Sequence, residues 1–168
     1  MEETLQELRD ITIRKFVAYN PHVIAYKIDN LPDVTDFIKN LKNIPGIEKV
    51  TLTTNGTQLI NKLDELIDAR IDGINISLDT LDPMLYERIT GKDSLHKVLE
   101  GFNRALEIPD IKLKINCVPM GYPEQNLIEM AGIAKNNPVN VRFIEMMPFA
   151  GATDLQLRQM VTAQEILE

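Results

Sequence analysis

Three stretches of this chain place chemically able side chains on one face of an extended backbone. In IKLKINCV, residues 111–118, Lys112, Lys114 and Asn116 alternate with Leu113, Ile115 and Cys117. In GINISLD, residues 73–79, Asn75, Ser77 and Asp79 alternate with Ile74, Ile76 and Leu78. In KVTLTTN, residues 49–55, Thr51, Thr53 and Asn55 alternate with Val50 and Leu52. Farther on, NVRFIEM at 140–146, followed by Met147, adds Glu145 and a thioether near the end of another extended segment. Ammonium groups, hydroxyls, amides and a carboxylate gathered on one side suit a polar ligand, and an anionic one where the lysines face it.

Taken singly, each of these residues has a plainer explanation. Asn55-Gly56 is a turn signal. Ser77 or Asp79 could cap the loop that follows its strand. Lys114 could be a strand lysine reaching for water, and Met146 and Met147 could fill core. Cys117 falls on the apolar side of its strand, the setting of an inert buried thiol. His22 and His96 stand alone and are assigned no role. The weight lies in the repetition of polar faces over several strands.

The elements that must position these residues follow from the same periodicities. Strands are expected at 49–53, 73–78, 111–118 and 140–146, and also at 22–28 and 11–16. Helices are expected at 33–44 and at 58–70, where Leu59, Ile60, Leu63, Leu66 and Ile67 share one face. A short helix should start at Asp82-Pro83, with Asp82 as N-cap and Pro83 in the first position. Ser94 should open the next, with Leu95, Val98, Leu99, Phe102, Ala105 and Leu106 as its apolar stripe. Another should run from Pro123 to about Asn136. Thr162 and Glu165 fit a capping box at the start of a last helix.

Strands alternating with helices predict an α/β fold with a parallel sheet. Either an open doubly wound sheet or a (β/α) barrel satisfies the right-handed crossover rule. A barrel sealed by aliphatic side chains would not carry lysine, asparagine and serine on its inner faces. The polar faces therefore predict a lumen open to water or to a polar ligand. In parallel α/β architectures such ligands lie at the carboxyl ends of the strands. No G-x-G-x-x-G and no G-x-x-x-x-G-K-[ST] occurs, which removes the two commonest phosphate loops.

Composition narrows the classes further. The 168 residues carry a formal net charge of -7, which argues against a nucleic-acid partner but not against one nucleotide in a locally basic pocket. No apolar run approaches the ~20 residues that span a bilayer. The opening MEETLQELRD is acidic and polar, unlike a secretory or transit signal, so a cytoplasmic location is expected. The chain has one cysteine, which excludes an internal disulfide and a cysteine-only metal site within one chain.

Four words then stand in sequence: LTTNG at 52–56, NISLDTLDP at 75–83, KINCV at 114–118 and RFIEMMP at 142–148. In order and spacing they resemble the strand-end motifs of the GTP 3',8-cyclases of molybdenum cofactor biosynthesis. ERITG at 87–91 and VLEGFNRALE at 98–107 are similar to the helices between them. The resemblance covers about residues 32–168. It implies a partial (β/α) barrel of the radical S-adenosylmethionine type, truncated here. It implies a 4Fe-4S cluster and S-adenosylmethionine as cofactors, and GTP as the substrate converted to a cyclic pyranopterin precursor. Carried over by position, Thr53 and Lys114 match contacts to GTP, while Ser77 and Met147 match contacts to S-adenosylmethionine.

The departures from that pattern are specific. The family's C-x-x-x-C-x-x-C loop and its Gly-Gly-Glu-Pro word do not occur in this chain. By this comparison residues 1–31 are expected to be a divergent N-terminal segment and 32–168 the partial barrel, with the family's C-terminal cluster domain expected to be absent. Without three thiolates the cluster has no ligands. The expectation is a barrel that retains part of the binding wall and does not perform the radical reaction alone. Two rivals are a non-catalytic remnant that binds a nucleotide or pairs with a partner chain or a second copy through an open sheet edge, and an unrelated barrel enzyme using Lys114 as a Schiff-base amine.

Overall fold

The computed structural model describes residues 23–27, 34–146 and 161–167. Met147, His22, the expected strand at 11–16 and most of the divergent 1–31 segment lie outside the described residues. Five strands form where the alternating patterns stand: β1 (Val23–Lys27), β2 (Lys49–Thr54), β3 (Gly73–Ser77), β4 (Lys112–Cys117) and β5 (Val139–Phe143). Each pairs in parallel with the next, and the sheet order is β1-β2-β3-β4-β5.

Helices make every connection. They are α1 (Val34–Lys42), α2 (Leu59–Asp68), the pair α3 (Pro83–Thr90) and α4 (Leu95–Leu106), and α5 (Leu127–Asn136), with α6 (Ala163–Leu167) beyond the sheet. Right-handed crossovers that always step to the adjacent strand pass over one and the same face. This chain order separates the two folds left open by the sequence: a doubly wound sheet needs a reversal, and none occurs among the described residues. The sheet is open, with β1 and β5 at its edges among the described residues, which is the geometry of a partial barrel.

The packing agrees. Val50, Leu52, Ile74, Ile76, Leu113, Ile115 and Cys117 of the strands join Ile38, Leu41, Leu63, Leu66, Val98 and Phe102 of the helices in one buried core. Full burial of each such aliphatic side chain contributes about 1.5–3 kcal/mol. Helices α2 and α4 pack directly against each other where Gly101 leaves room. A Cβ added there would stand 2.9 Å from Leu59 Cβ and 3.0 Å from Ile60 N.

Local signals account for most boundaries. Asp82 Oδ1 accepts from Leu85 N at 2.6 Å, and Pro83 occupies the first turn of α3. Arg70, at φ 59°, takes the left-handed conformation that follows the end of α2. Thr162 and Glu165 form the reciprocal capping box: Thr162 N donates to Glu165 Oε2 at 2.8 Å, and Glu165 N donates to Thr162 Oγ1 at 3.3 Å. One expectation fails. Pro123 opens a turn, not a helix, and α5 begins only at Leu127, capped by Asn126 Oδ1 accepting from Glu129 N at 3.1 Å. The cause is Gln125, whose side chain is buried among loop backbone groups instead of lying on a helix surface. The last strand, β5, also ends earlier than expected, at Phe143 in place of Met146.

A carboxylate ties the amino-terminal end of the sheet. Asp72 Oδ2 accepts from Val50 N at 2.6 Å and pairs with Lys42 Nζ at 2.7 Å, joining α1, β2 and the loop before β3. Among the described residues no helix is long and apolar enough to cross a membrane.

Gly101→Val forces a branched side chain into the α2–α4 contact and should lower stability by about 2–3 kcal/mol. The check is a urea titration, with the midpoint falling and the slope unchanged.

Candidate functional site

The face of the sheet away from the helices carries the polar residues, and register sorts them into ranks. Thr53 stands beside Asn75, Asn75 beside Lys114, and Lys114 beside Asn140. One rank nearer the carboxyl ends, Ser77 stands beside Asn116 and Asn116 beside Arg142. Thr51, Gly73 and Lys112 form a rank toward the amino ends. Ordinary strand alternation produces all three ranks once the opposite residues have been claimed by the core.

The first rank is partly wired. Asn75 Nδ2 donates to Leu52 O at 3.2 Å and to Thr53 Oγ1 at 3.3 Å. The Thr53 hydroxyl is thus held as an acceptor while its own proton stays available to a ligand. Lys114 has no carboxylate within ion-pair reach among the described residues. Partial burial pushes its ammonium below the usual lysine range, and the positive charges of Arg142, Lys112 and Lys49 push it further the same way. A depression with several like charges among its causes describes a cationic surface, and this one belongs to a chain of net charge -7. Such a surface favours an anion, which would restore the charged form of Lys114.

The second rank is less satisfied. The Ser77 hydroxyl has no hydrogen-bond partner among the described residues. Asn116 Oδ1 is fully buried and also lacks one, a condition that typically costs about 1–3 kcal/mol. The uncommitted groups of this rank lie at the end of the strands where parallel α/β sheets bind ligands.

Other residues singled out in the sequence lie elsewhere. Asn55 turns back on its own loop, Oδ1 accepting from Thr57 N at 3.0 Å and Thr57 Oγ1 at 2.9 Å, so the turn explanation holds for it. Asp79 Oδ1 accepts from Val118 N at 2.7 Å. Burial pushes that carboxyl above its usual value, with the Val118 N–H pulling the other way. Glu145 and His96 are exposed. Cys117 faces the helices, donates to Asp79 O at 3.5 Å, and has its thiol pushed up to about 12 by burial and by Asp79.

Three residues of the surroundings went unnoticed in the sequence. Arg142 could have been found by following the alternation of β5 from Asn140 through NVRF. Lys49 could have been found by carrying the alternation of Thr53 and Thr51 back to the first residue of β2. Gln125 had no signal: its importance comes from burial and from joining its own loop, at Val118 and Met120, to the distant loop at Asp79.

Comparison with known proteins was consistent along nearly the whole chain. The Radical SAM superfamily matches residues 2–159. Human molybdenum cofactor biosynthesis protein 1 is 40% identical over 138 residues, 82% of this chain and 22% of that protein. The GTP 3',8-cyclase of Alkaliphilus metalliredigens is 40% identical over 135 residues, 79% of this chain and 42% of the relative. The mitochondrial GTP 3',8-cyclase of Arabidopsis thaliana is 32% identical over 137 residues, 81% of this chain and 35% of the relative. The chain therefore spans less than half the length of these relatives.

The electrostatics can be checked directly. Arg142→Gln removes one of the charges that depress Lys114, so the Lys114 ammonium should titrate at higher pH in the variant. Carbon-detected NMR of labelled lysine side chains reads the shift.

Proposed function

The chain belongs to the Radical SAM superfamily, and from that premise we propose that it forms the nucleotide-binding wall of a GTP 3',8-cyclase-type barrel. In this reading Thr53 and Lys114 contact GTP, and Ser77 and Met147 contact S-adenosylmethionine. The observation that carries it is Lys114: half-buried on the open inner face, unpaired with any carboxylate among the described residues, and surrounded by further cations. A triphosphate supplies the missing negative charge, and charge-assisted hydrogen bonds to ammonium and guanidinium groups are the strong ones. The hydroxyl of Thr53, oriented by Asn75, lies beside Lys114's rank and suits a ribose or phosphate oxygen.

The two cofactors of the superfamily fit unequally. S-adenosylmethionine finds a free hydroxyl at Ser77 and, when bound, would supply the adenosyl group for the reaction. The iron–sulfur cluster does not fit. The one cysteine, Cys117, is buried against the helices, and its thiol is held protonated by a value near 12. Among the described residues no three His, Cys, Asp or Glu side chains gather to hold a metal. The function assigned to these residues is therefore binding and orientation of the nucleotide, with no catalytic step placed on this chain alone. The same reading puts the chain in the cytosol. A second reading, a binding remnant that pairs with another chain, draws on the sheet edges at β1 and β5, which are open among the described residues.

Isothermal titration with GTP tests the proposal. Micromolar binding that Lys114→Ala abolishes supports it; no binding by the unaltered chain overturns it. The sign of the pH dependence follows from the depressed lysine. Affinity should fall as pH rises through the lowered Lys114 value, before free lysine would titrate. Because a bound triphosphate raises that value again, binding at alkaline pH should take up protons. Titrations in buffers of different ionisation enthalpy measure that uptake.

A further inference from the structure

We propose that Gln125 is a positioning residue, whose buried carboxamide clips together the carboxyl-terminal ends of β3 and β4 and so sets the spacing of Ser77 and Asn116. The ligand side of this inference rests on the nucleotide reading above; the clip itself does not.

Backbone pairing between β3 and β4 runs out at this point. Ser77 and Asn116 are partners in the ladder, and Leu78 N still donates to Asn116 O at 3.0 Å. Beyond that, side chains take over. Asp79 Oδ1 accepts from Val118 N at 2.7 Å. Gln125, 6% exposed, then spans both chain segments: Nε2 donates to Asp79 O at 2.8 Å and to Val118 O at 2.8 Å, while Oε1 accepts from Met120 N at 2.7 Å. The partners leave no ambiguity in the amide. Both groups facing Nε2 are carbonyl oxygens and the group facing Oε1 is an N–H, so the flipped amide would set like against like at all three contacts.

The clip acts on the site through very short lengths of chain. Asp79 is two residues from Ser77, and Val118 is two residues from Asn116. Both clipped carbonyls sit where an open sheet has no further backbone bonds to hold its ends. The clip also explains where α5 begins: Gln125 cannot be both a buried tie and a helical surface residue, so Asn126 becomes the cap. Loss of the carboxamide removes its bonds to Val118 O and Met120 N and leaves Asp79 O only the weak Cys117 thiol donor, a local penalty concentrated at the two strand ends.

Cys117 lies directly beneath the clip, with Gln125 Nε2 3.9 Å from its sulfur, and it is the one cysteine in the chain. Its rate of thiol labelling under native conditions therefore reports opening at this place. Gln125→Leu removes all three bonds; Gln125→Glu keeps the shape but loses both donors. Gly101→Val, at the distant α2–α4 contact, serves as a variant of comparable global instability. The expected result is that both Gln125 variants label at least about tenfold faster while Gly101→Val, at a matched shift in urea midpoint, does not. Affinity for S-adenosylmethionine should fall about tenfold in the Gln125 variants while affinity for GTP changes less, since Lys114 lies nearer the strand centre. Equal labelling in all variants, or equal acceleration by Gly101→Val, overturns the clip. Faster labelling with unchanged S-adenosylmethionine affinity overturns its positioning role. If the unaltered chain binds neither nucleotide, the nucleotide reading fails while the labelling rates still decide the clip.

Discussion

A parallel sheet whose spatial order is its chain order has two unequal faces, and everything else in this protein depends on that inequality. Each right-handed crossover returns over the same side, so one face receives all the connecting helices and the other receives none from them. Strand alternation then divides the residues by chemistry. Ile74, Ile76, Leu113 and Ile115 go to the covered side and are almost fully buried. Asn75, Ser77, Lys114 and Asn116 go to the other side because no second position is available to them. A slip of one residue in any strand would exchange the two sets, which is why the aliphatic core also secures the polar face.

The polar face is electrostatically incomplete. A half-buried lysine normally finds a carboxylate, and this acidic chain has many to offer. Yet Lys114 meets Arg142, Lys112 and Lys49. Assembling like charges costs folding free energy, and an anionic ligand would return it on binding. The buried oxygen of Asn116 and the hydroxyl of Ser77, without a partner among the described residues, belong to the same pattern one rank away. By contrast, the carboxylates of Asp72 and Asp79 are engaged with backbone N–H groups at opposite ends of the sheet. They hold the strands in place and leave the face between them cationic.

Membership in the Radical SAM superfamily and the chemistry of Cys117 pull in different directions, and the conflict has a simple physical form. A cluster ligand must be a thiolate in reach of open space. Cys117 lies on the covered side of the sheet, protonated and hydrogen-bonded to a backbone carbonyl. The same alternation that delivers Lys114 to the open face removes Cys117 from it. In this chain the two are therefore apart, with Lys114 in the rank of Asn75 and Asn140 on the open face and Cys117 sealed in the core behind it.

Much of the architecture was legible in advance. Strand and helix periodicity located the elements from residue 34 onward, Asp82-Pro83 and Thr162 with Glu165 marked their caps, and alternation assigned Lys114, Ser77 and Thr53 to one side. Those are local properties, set by the repeat of the backbone and readable without knowing what packs where. The choice between a doubly wound sheet and a partial barrel was not local, because it depends on which strand each crossover reaches. The gathering of Lys49, Lys112, Lys114 and Arg142 required the register of three strands. Gln125 was invisible for the same reason: nothing adjacent to it in sequence shows that Asp79 and Val118 converge on its amide. The amino-acid order by itself decided which face each side chain of a strand would take; only the tertiary structure decided which side chains from different strands would meet, because that meeting is a property of strand order and register.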